Sequence, residues 1–344
     1  MRYETVVDSI GQTPTIRLRL GQQAGAKVYA KMEMQNLFGM KDRVAKRIIE
    51  EAKKNGFLKE GAPIIESSSG TMACGLALVG TYLGHEVHIV TDPRIDDITL
   101  AKLHTLGCHI HIVDKIGTNG WQSARLERLH ELLYEMPEAF WPQQYDNPNN
   151  PNAYDLLAAE AIADLGHIDV LVGSIGSGGS LCGSAKALRT YNPAIKIVAV
   201  DCAGSVIFGQ PDYPQRLQGG LGNSLIAGNV DYTLIDEVHW LNDEEAFAAT
   251  HQLAKTEKIF AGNSSGSVYA VAKWISSQLT EHKNILAIFP DRGDRYVDTI
   301  YNPKYLLNKG LKKLTLSSEP QYVSYDTVVH SWSYANMVGV GKYV

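Results

Sequence analysis

The chain has 344 residues, enough for about two domains and for a core that needs no disulfide or metal staple. Hydrophobic residues make up 44% and charged residues 20%, which excludes a disordered chain or a fibrous repeat. With 32 Lys plus Arg against 37 Asp plus Glu and a net charge of −5, no basic stripe is available for a phosphate backbone, so nucleic acid is not an expected partner. No apolar run reaches the roughly 18 residues of a membrane span or forms the core of a leader, and a cytoplasmic protein without membrane association is expected.

Along the chain, short β-branched runs alternate with longer segments of helical period. This is the pattern of a parallel sheet covered by helices on both faces, hence the α/β class. Strands are expected at Lys27–Met32, Pro63–Glu66, Glu86–Val90, His109–Val113, Val170–Val172, Ile195–Val200 and Ile285–Ile288. A helix over Lys41–Asn55 carries Val44, Ala45, Ile48, Ile49 and Ala52 at helical spacing. Gly70–Gly84 reads as a mostly buried helix opening at a Ser-rich turn. The polar, Pro- and Asn-rich stretch Gln143–Asn152 predicts a crossing between two lobes. Gln321–Val344 loses the alternation and mixes aromatic with small polar residues, as an arm or partner-binding tail would. Cys74, Cys108, Cys182 and Cys202 lack a CxxC pair or nearby His spacing, so ordinary buried thiols are expected.

Four segments could carry chemistry. Val172 to Gly183 runs a strand through Gly176, Ser177, Gly178, Gly179 and Ser180 into a helix. Glycines there let N–H groups converge on an anion, the hydroxyls add donors, and the helix dipole favours negative charge. A branched side chain at Gly178 or Gly179 is expected to crowd those N–H groups. The plain alternative is a tight strand-to-helix turn with no ligand. No Gly-Lys-Ser/Thr ending marks a nucleoside triphosphate loop, and Asp201 is the nearest acid for a dinucleotide unit. Gln35 to Arg43 sets Lys41 in the first turn of a helix, where the dipole and the apolar Phe38 and Met40 would disfavour its ammonium form, unless it is merely solvated. An activated lysine plus a phosphate cup is the minimum equipment for pyridoxal phosphate. Ser67, Ser68, Ser69 and Gly70 open another helix and could hold a carboxylate or only cap the helix. Phe260 to Ser267 could present a hydroxyl to a ring nitrogen.

Five motifs stand in this order: Lys41-Asp42-Arg43, Ser68-Ser69-Gly70, Gly176 to Ser180, Gly262-Asn263-Ser264-Ser265-Gly266 and Pro290-Asp291-Arg292-Gly293-Asp294-Arg295-Tyr296. Together they resemble the cysteine synthase family of fold-type II pyridoxal phosphate enzymes over roughly residues 5 to 305. Gly204 to Gly209, Trp141 to Tyr145 and the Asp-Arg-Gly-Asp-Arg-Tyr run more closely resemble one branch. Its members are O-phosphoserine-dependent synthases supplying the 2,3-diaminopropionate precursor of a siderophore.

The resemblance implies two lobes, each with a mostly parallel twisted sheet flanked by helices. Residues 1–38 with 149–305 would form the large cofactor lobe, 39–148 a small mobile substrate lobe and 306–344 an extension, with the chain a homodimer. It makes Lys41 the lysine that holds pyridoxal phosphate, Gly176 to Ser180 the phosphate cup, and Ser264 the partner of the pyridine nitrogen. Ser68, Ser69 and Gly70 would close over the substrate carboxylate with help from Gln144, and Gly220 to Gly222 would be a hinge. Arg125 and Tyr145 match positions that serve a phosphorylated substrate. The implied chemistry is β-replacement on O-phospho-L-serine or O-acetyl-L-serine, with L-glutamate or another amine as acceptor. Sulfide or thiosulfate chemistry, as in cysteine or S-sulfocysteine synthases, stays open, as do simple elimination and a catalytically weak binding protein on the same fold. Two departures bear on this choice. Thr71 stands where the family has an asparagine toward the cofactor, and Gly176 where the branch tends to have serine.

Overall fold

A computed structural model describes residues 2–22, 25–117 and 121–337. Its strands are β1 (Thr15–Arg17), β2 (Lys27–Lys31), β3 (Ile64–Ser67), β4 (Val87–Thr91), β5 (His109–Ile112), β6 (Val170–Ser174), β7 (Lys196–Cys202), β8 (Glu237–Leu241), β9 (Asn284–Ile288), β10 (Gln321–Tyr322) and β11 (Ser333–Asn336). Its helices are α1 (Lys41–Lys54), α2 (Thr71–Tyr82), α3 (Asp97–Thr105), α4 (Trp121–Glu135), α5 (Asn149–Asn152), α6 (Asp155–Leu165), α7 (Gly179–Tyr191), α8 (Asp243–Glu257), α9 (Asn263–Gln278) and α10 (Pro303–Asn308).

The strands form two sheets. An eight-stranded sheet has the order β1-β2-β9-β6-β7-β8-β11-β10, and a three-stranded one has the order β3-β4-β5. The small sheet is all parallel, as is the β2-β9-β6-β7-β8 centre of the large one, while β1 and β11 pair antiparallel with β2 and β8. Strands β6 and β8 are buried along their whole length, as expected where helices cover both faces. The seven strands read from the sequence are present, with ends shifted by one or two residues. Strand β8 was not among them: its Glu237 and His239 interrupt the apolar run, yet both are buried because they pair with each other at 3.0 Å.

Helix α1 buries Val44, Ala45, Ile48, Ile49 and Ala52, the stripe read from the sequence. Helix α2 lies against it through Gly75, where a Cβ would sit 3.0 Å from the Lys41 carbonyl oxygen and 3.1 Å from Ala45 Cβ. That close approach brings the starts of α1 and α2 together. The four cysteines are free and buried, as expected.

Residues 321–336 do not extend as an arm. Strand β11 pairs with β8, the Trp332 indole donates to His239 Nδ1 at 3.2 Å, and the Trp332 backbone N–H donates to Glu245 at 2.9 Å. Trp332 and Tyr334 thus pack against His239 of the chain's own sheet, while Tyr322 is exposed. The end of that segment, 338–344, lies outside the described residues, as do 1, 23–24 and 118–120 of the expected lobes.

Candidate active site

Loops following β3, β6 and β9 meet around a cavity of about 270 Å³. Its wall includes the first or second residue of four helices: Lys41 of α1, Thr71 of α2, Ser180 of α7 and Ser264 of α9. No side chain caps any of these four N-termini, although Asp42 N–H in α1 donates to the Gly39 carbonyl at 3.1 Å, and the helix dipoles favour an anion in the cavity. The residue before α2 is Gly70, which replaces the serine cap considered from sequence and leaves the Ser68 and Ser69 hydroxyls free of that duty.

Lys41 Nζ donates to Ser177 Oγ at 3.3 Å and lies 5.9 Å from the Tyr154 ring centroid. Burial lowers its pKa from 10.5 to about 8. Met40 lines the cavity as expected, but Phe38 does not: its ring turns to Lys102 Nζ of α3 at 5.3 Å, and Tyr154 provides the aromatic neighbour instead. The loop entering α1 is fixed from both sides. Met40 N–H donates to the Pro290 carbonyl, and the N–H groups of Phe38 and Gly39 donate to Asp42. Behind α1, Arg43 makes two-pronged contacts to Glu33 and Glu160 at 2.7 to 2.9 Å, and Lys31 joins Glu160 at 2.8 Å. Burial opposes ionisation of Glu160, but Arg43 and Lys31 hold its pKa at about 2.

Of the residues read from the sequence, Lys41, Ser68, Ser69, Gly70, Thr71, Arg125, Gln144, Tyr145, Gly176, Ser177, Ser180, Gly220 and Ser264 all line this one cavity. Gly178 and Gly179 do not. A Cβ at Gly178 (φ +80°) would meet the Asn229 carbonyl oxygen at 2.6 Å, and one at Gly179 would overlap Asn150 Oδ1. Their missing side chains make room for the wall behind the loop, so a branched residue collides there and not with N–H groups inside the cup. Gly220 and Gly222 carry φ of +81° and +68°, left-handed backbone that favours glycine.

Arg125 Nη1 reaches Ser69 Oγ at 3.4 Å and Asp92 Oδ2 at 3.3 Å, while its buried Nε has no hydrogen-bond partner. The Gln144 amide donates to the Ser67 carbonyl, and its backbone N–H donates to Glu66. Burial raises the Tyr145 pKa, with Arg125 lowering it and Glu66 raising it.

Sequence reasoning assigned no role to Asp291 or Arg295, although it quoted the motif that contains them. Both line the cavity. Asp291 accepts from Tyr296 Oη at 2.7 Å and from Ser264 Oγ at 3.5 Å, and burial raises its pKa. Arg295 donates to the Ser69 carbonyl at 3.3 Å and to Asp96, pinning the serine loop from outside. Gly219 and Asn223 also line the cavity without having been singled out, and nothing in the local sequence of Asn223 distinguishes it.

Residues 6–291 match the model of the pyridoxal-phosphate dependent enzyme family. The chain belongs to that family. It is 38% identical over 314 residues to an N-(2-amino-2-carboxyethyl)-L-glutamate synthase of Cupriavidus metallidurans, covering 89% of this chain and 92% of that one. An enzyme of the same name from Ralstonia nicotianae is 36% identical, with the same two coverages. Among solved structures, isoform 3 of O-acetyl serine sulfhydrylase from Entamoeba histolytica superposes with a TM-score of 0.82 at 28% identity, covering 90% of this chain and 96% of that one. The protein is thus a cysteine synthase-like β-substitution enzyme of fold-type II, with two mostly parallel sheets flanked by helices, that uses pyridoxal phosphate. No helix among the described residues is long and apolar enough to cross a membrane.

The donor set fits the cofactor. An aldehyde needs an amine that is neutral near physiological pH, and Lys41 is held near that range. A phosphate needs N–H and hydroxyl donors, which the uncapped α7 terminus, Ser177 and Ser180 supply. A pyridine nitrogen needs one polar partner, and Ser264 offers a hydroxyl. Thr71 lines the same wall with a shorter reach than the asparagine it replaces.

Proposed function

We propose that this enzyme joins the β-carbon of O-phospho-L-serine to the amino nitrogen of L-glutamate, forming N-(2-amino-2-carboxyethyl)-L-glutamate and releasing inorganic phosphate, a step toward 2,3-diaminopropionate and siderophore chemistry. The relatives' name specifies that bond. The observation that carries the choice of leaving group is Arg125, whose guanidinium lines the cavity of Lys41 beside Ser69 with a buried Nε still unpartnered. A phosphate dianion is the substituent that rewards such a group, and Tyr145 adds a donor.

Pyridoxal phosphate, when bound, supplies a conjugated ring that accepts the electron pair left by the departing α-proton. In this reading Ser68, Ser69, Gly70 and the α2 terminus bind the substrate carboxylate, and Gln144 closes the site from the lobe crossing. The small lobe, 39–148, moves with them. Lys41, released by the incoming substrate amine, takes the α-proton as the Cβ–O bond breaks and phosphate leaves toward Arg125. The glutamate amine then forms the Cβ–N bond and loses a proton, and Lys41 returns a proton to Cα. Ser264, being neutral, favours expelling the β-substituent over prolonged carbanion chemistry. The homodimer expected from the resemblance is part of this reading and is read out by the molar mass of the holoenzyme in solution.

A second reading, cysteine synthase chemistry on O-acetyl-L-serine, is favoured by Gly176 and by the likeness to an O-acetyl serine sulfhydrylase. Incubating the holoenzyme with phosphoserine or acetylserine, each against glutamate, sulfide and thiosulfate, separates the two by product mass. Phosphoserine with glutamate should give the coupled product and one phosphate per turnover. Productive turnover only of acetylserine with sulfide or thiosulfate would replace the first reading with the second.

A further inference from the structure

Away from the cavity, the small sheet gathers histidines on one face. Strands β4 and β5 pair in parallel with His88 directly opposite His109 and Val90 opposite His111. Glu86 and His88 share a face at a spacing of two, as do His109 and His111. The His88 ring stacks on His109 at 4.6 Å and on His111 at 5.3 Å. One nitrogen, His88 Nδ1, is 3.1 Å from His111 Nε2. The other, His88 Nε2, is buried with no hydrogen-bond partner and faces Glu86 Oε2 at 3.8 Å.

We propose that Glu86, His88 and His109 bind a divalent transition-metal ion of the zinc type. One ligand atom from each lies within 4.8 Å of the others. Tetrahedral zinc with bonds of about 2.0–2.2 Å sets its ligand atoms roughly 3.4 Å apart, so the three side chains must close by about an ångström. The chain allows this: His88 is fixed by burial, whereas Glu86 and His109 are exposed and can turn inward. His111 acts from behind. With the proton of their hydrogen bond on His88 Nδ1, His88 Nε2 presents a lone pair toward Glu86, the arrangement by which an outer partner orients a metal-bound imidazole. An imidazole pair with one carboxylate suits zinc, nickel or copper better than calcium or magnesium. The bound ion would clip edge strand β5 to β4 without touching the cofactor cavity, since none of these residues lines it.

The test uses untagged holoenzyme dialysed against a chelator and then titrated with zinc ion alone, with metal counted by mass spectrometry after equilibrium dialysis. One zinc per chain should bind and raise Tm, with the cofactor absorbance unchanged. His109→Ala and Glu86→Gln, both at exposed positions, should each weaken binding at least ten-fold while leaving the zinc-free Tm near that of the parent, and His111→Ala should weaken it as well. Absence of stoichiometric zinc, or full binding in both the His109→Ala and Glu86→Gln proteins, would overturn the site.

Discussion

Asn150 Nδ2 donates to Ser177 Oγ at 3.1 Å, so the loop from Gly176 to Ser180 is held from behind by the short helix α5. The same asparagine occupies the space a Cβ on Gly179 would need, while a Cβ on Gly176 would meet only ordinary contacts, the nearest at 3.7 Å. Gly178→Val and Gly179→Val should therefore lose thermal stability and cofactor together, because the wall collapses. Gly176→Ala should keep both. Melting curves and cofactor absorbance on the three proteins check this. A Gly178→Val protein that melts like the parent yet lacks cofactor would restore the view that its side chain blocks the cup itself.

The lowered pKa of Lys41 has a kinetic signature. Only the neutral amine attacks an aldehyde, and below the pKa its fraction rises about ten-fold per pH unit. The rate at which apoenzyme takes up pyridoxal phosphate should rise with that slope and level off near pH 8, the value set by burial. Lys41→Ala should fold, yet after borohydride treatment no peptide should carry the cofactor's mass. A plateau first reached near pH 10.5 would mean an ordinary solvated lysine.

Buried carboxyls with raised pKa values give stability a pH dependence. Burial raises Asp42, Glu66 and Asp201 each to about 7, against ordinary values of 3.8, 4.5 and 3.8. A carboxyl whose folded pKa exceeds its unfolded one binds more protons when folded, so its contribution is present at low pH and lost as pH rises through the folded value. Between pH 6.5 and 7.5, above the range where the lowered histidines and below the range where the lowered Lys41 act in the opposite sense, Tm should fall as pH rises. Glu66→Gln should flatten part of that fall, since it removes one of several raised carboxyls, Asp291 among those that remain. An increase in Tm over this interval would contradict the assignment.

The parts of this enzyme legible in its sequence are those in which local chemistry and tertiary position coincide. The apolar stripe of α1 and the continuous runs of β4 and β6 bury where their patterns say. The Gly and Ser loops behind β3 and β6 line the cavity because strand ends are where such loops converge. What stayed hidden depends on partners distant in sequence. Strand β8 carries Glu237 and His239, polar residues that are buried because they pair with each other, and β11 is defined by pairing with β8. Phe38 was assigned to the lysine because it is adjacent in the chain, whereas Tyr154, more than a hundred residues on, is adjacent in space. Asp291 acts through Tyr296 and Ser264, a relationship no spacing rule encodes.

In the proposed function, Arg125 is the residue that selects the leaving group. Its guanidinium lies 3.4 Å from Ser69 Oγ and 3.3 Å from Asp92, a carboxylate whose own pKa is lowered against the effect of burial by Arg94 and Arg125. Asp92 thus orients the arginine and offsets part of its charge, while the buried Nε has no hydrogen-bond partner. In the proposed reading phosphoserine brings up to two negative charges to this cavity wall through its leaving group, and the acetyl group of acetylserine brings none. Loss of a charge-assisted contact of about 1.5–3 kcal/mol corresponds to roughly a ten- to hundred-fold change. Arg125→Ala should lower kcat/KM for phosphoserine by that factor and leave acetylserine nearly unchanged. Arg125→Lys should fall between, since it keeps the charge but not the planar fork. Steady-state kinetics on the two substrates with each variant measure this directly. An enzyme that ignores phosphoserine, turns over acetylserine and is indifferent to Arg125 would be a sulfhydrylase in which this arginine serves only to hold Asp92.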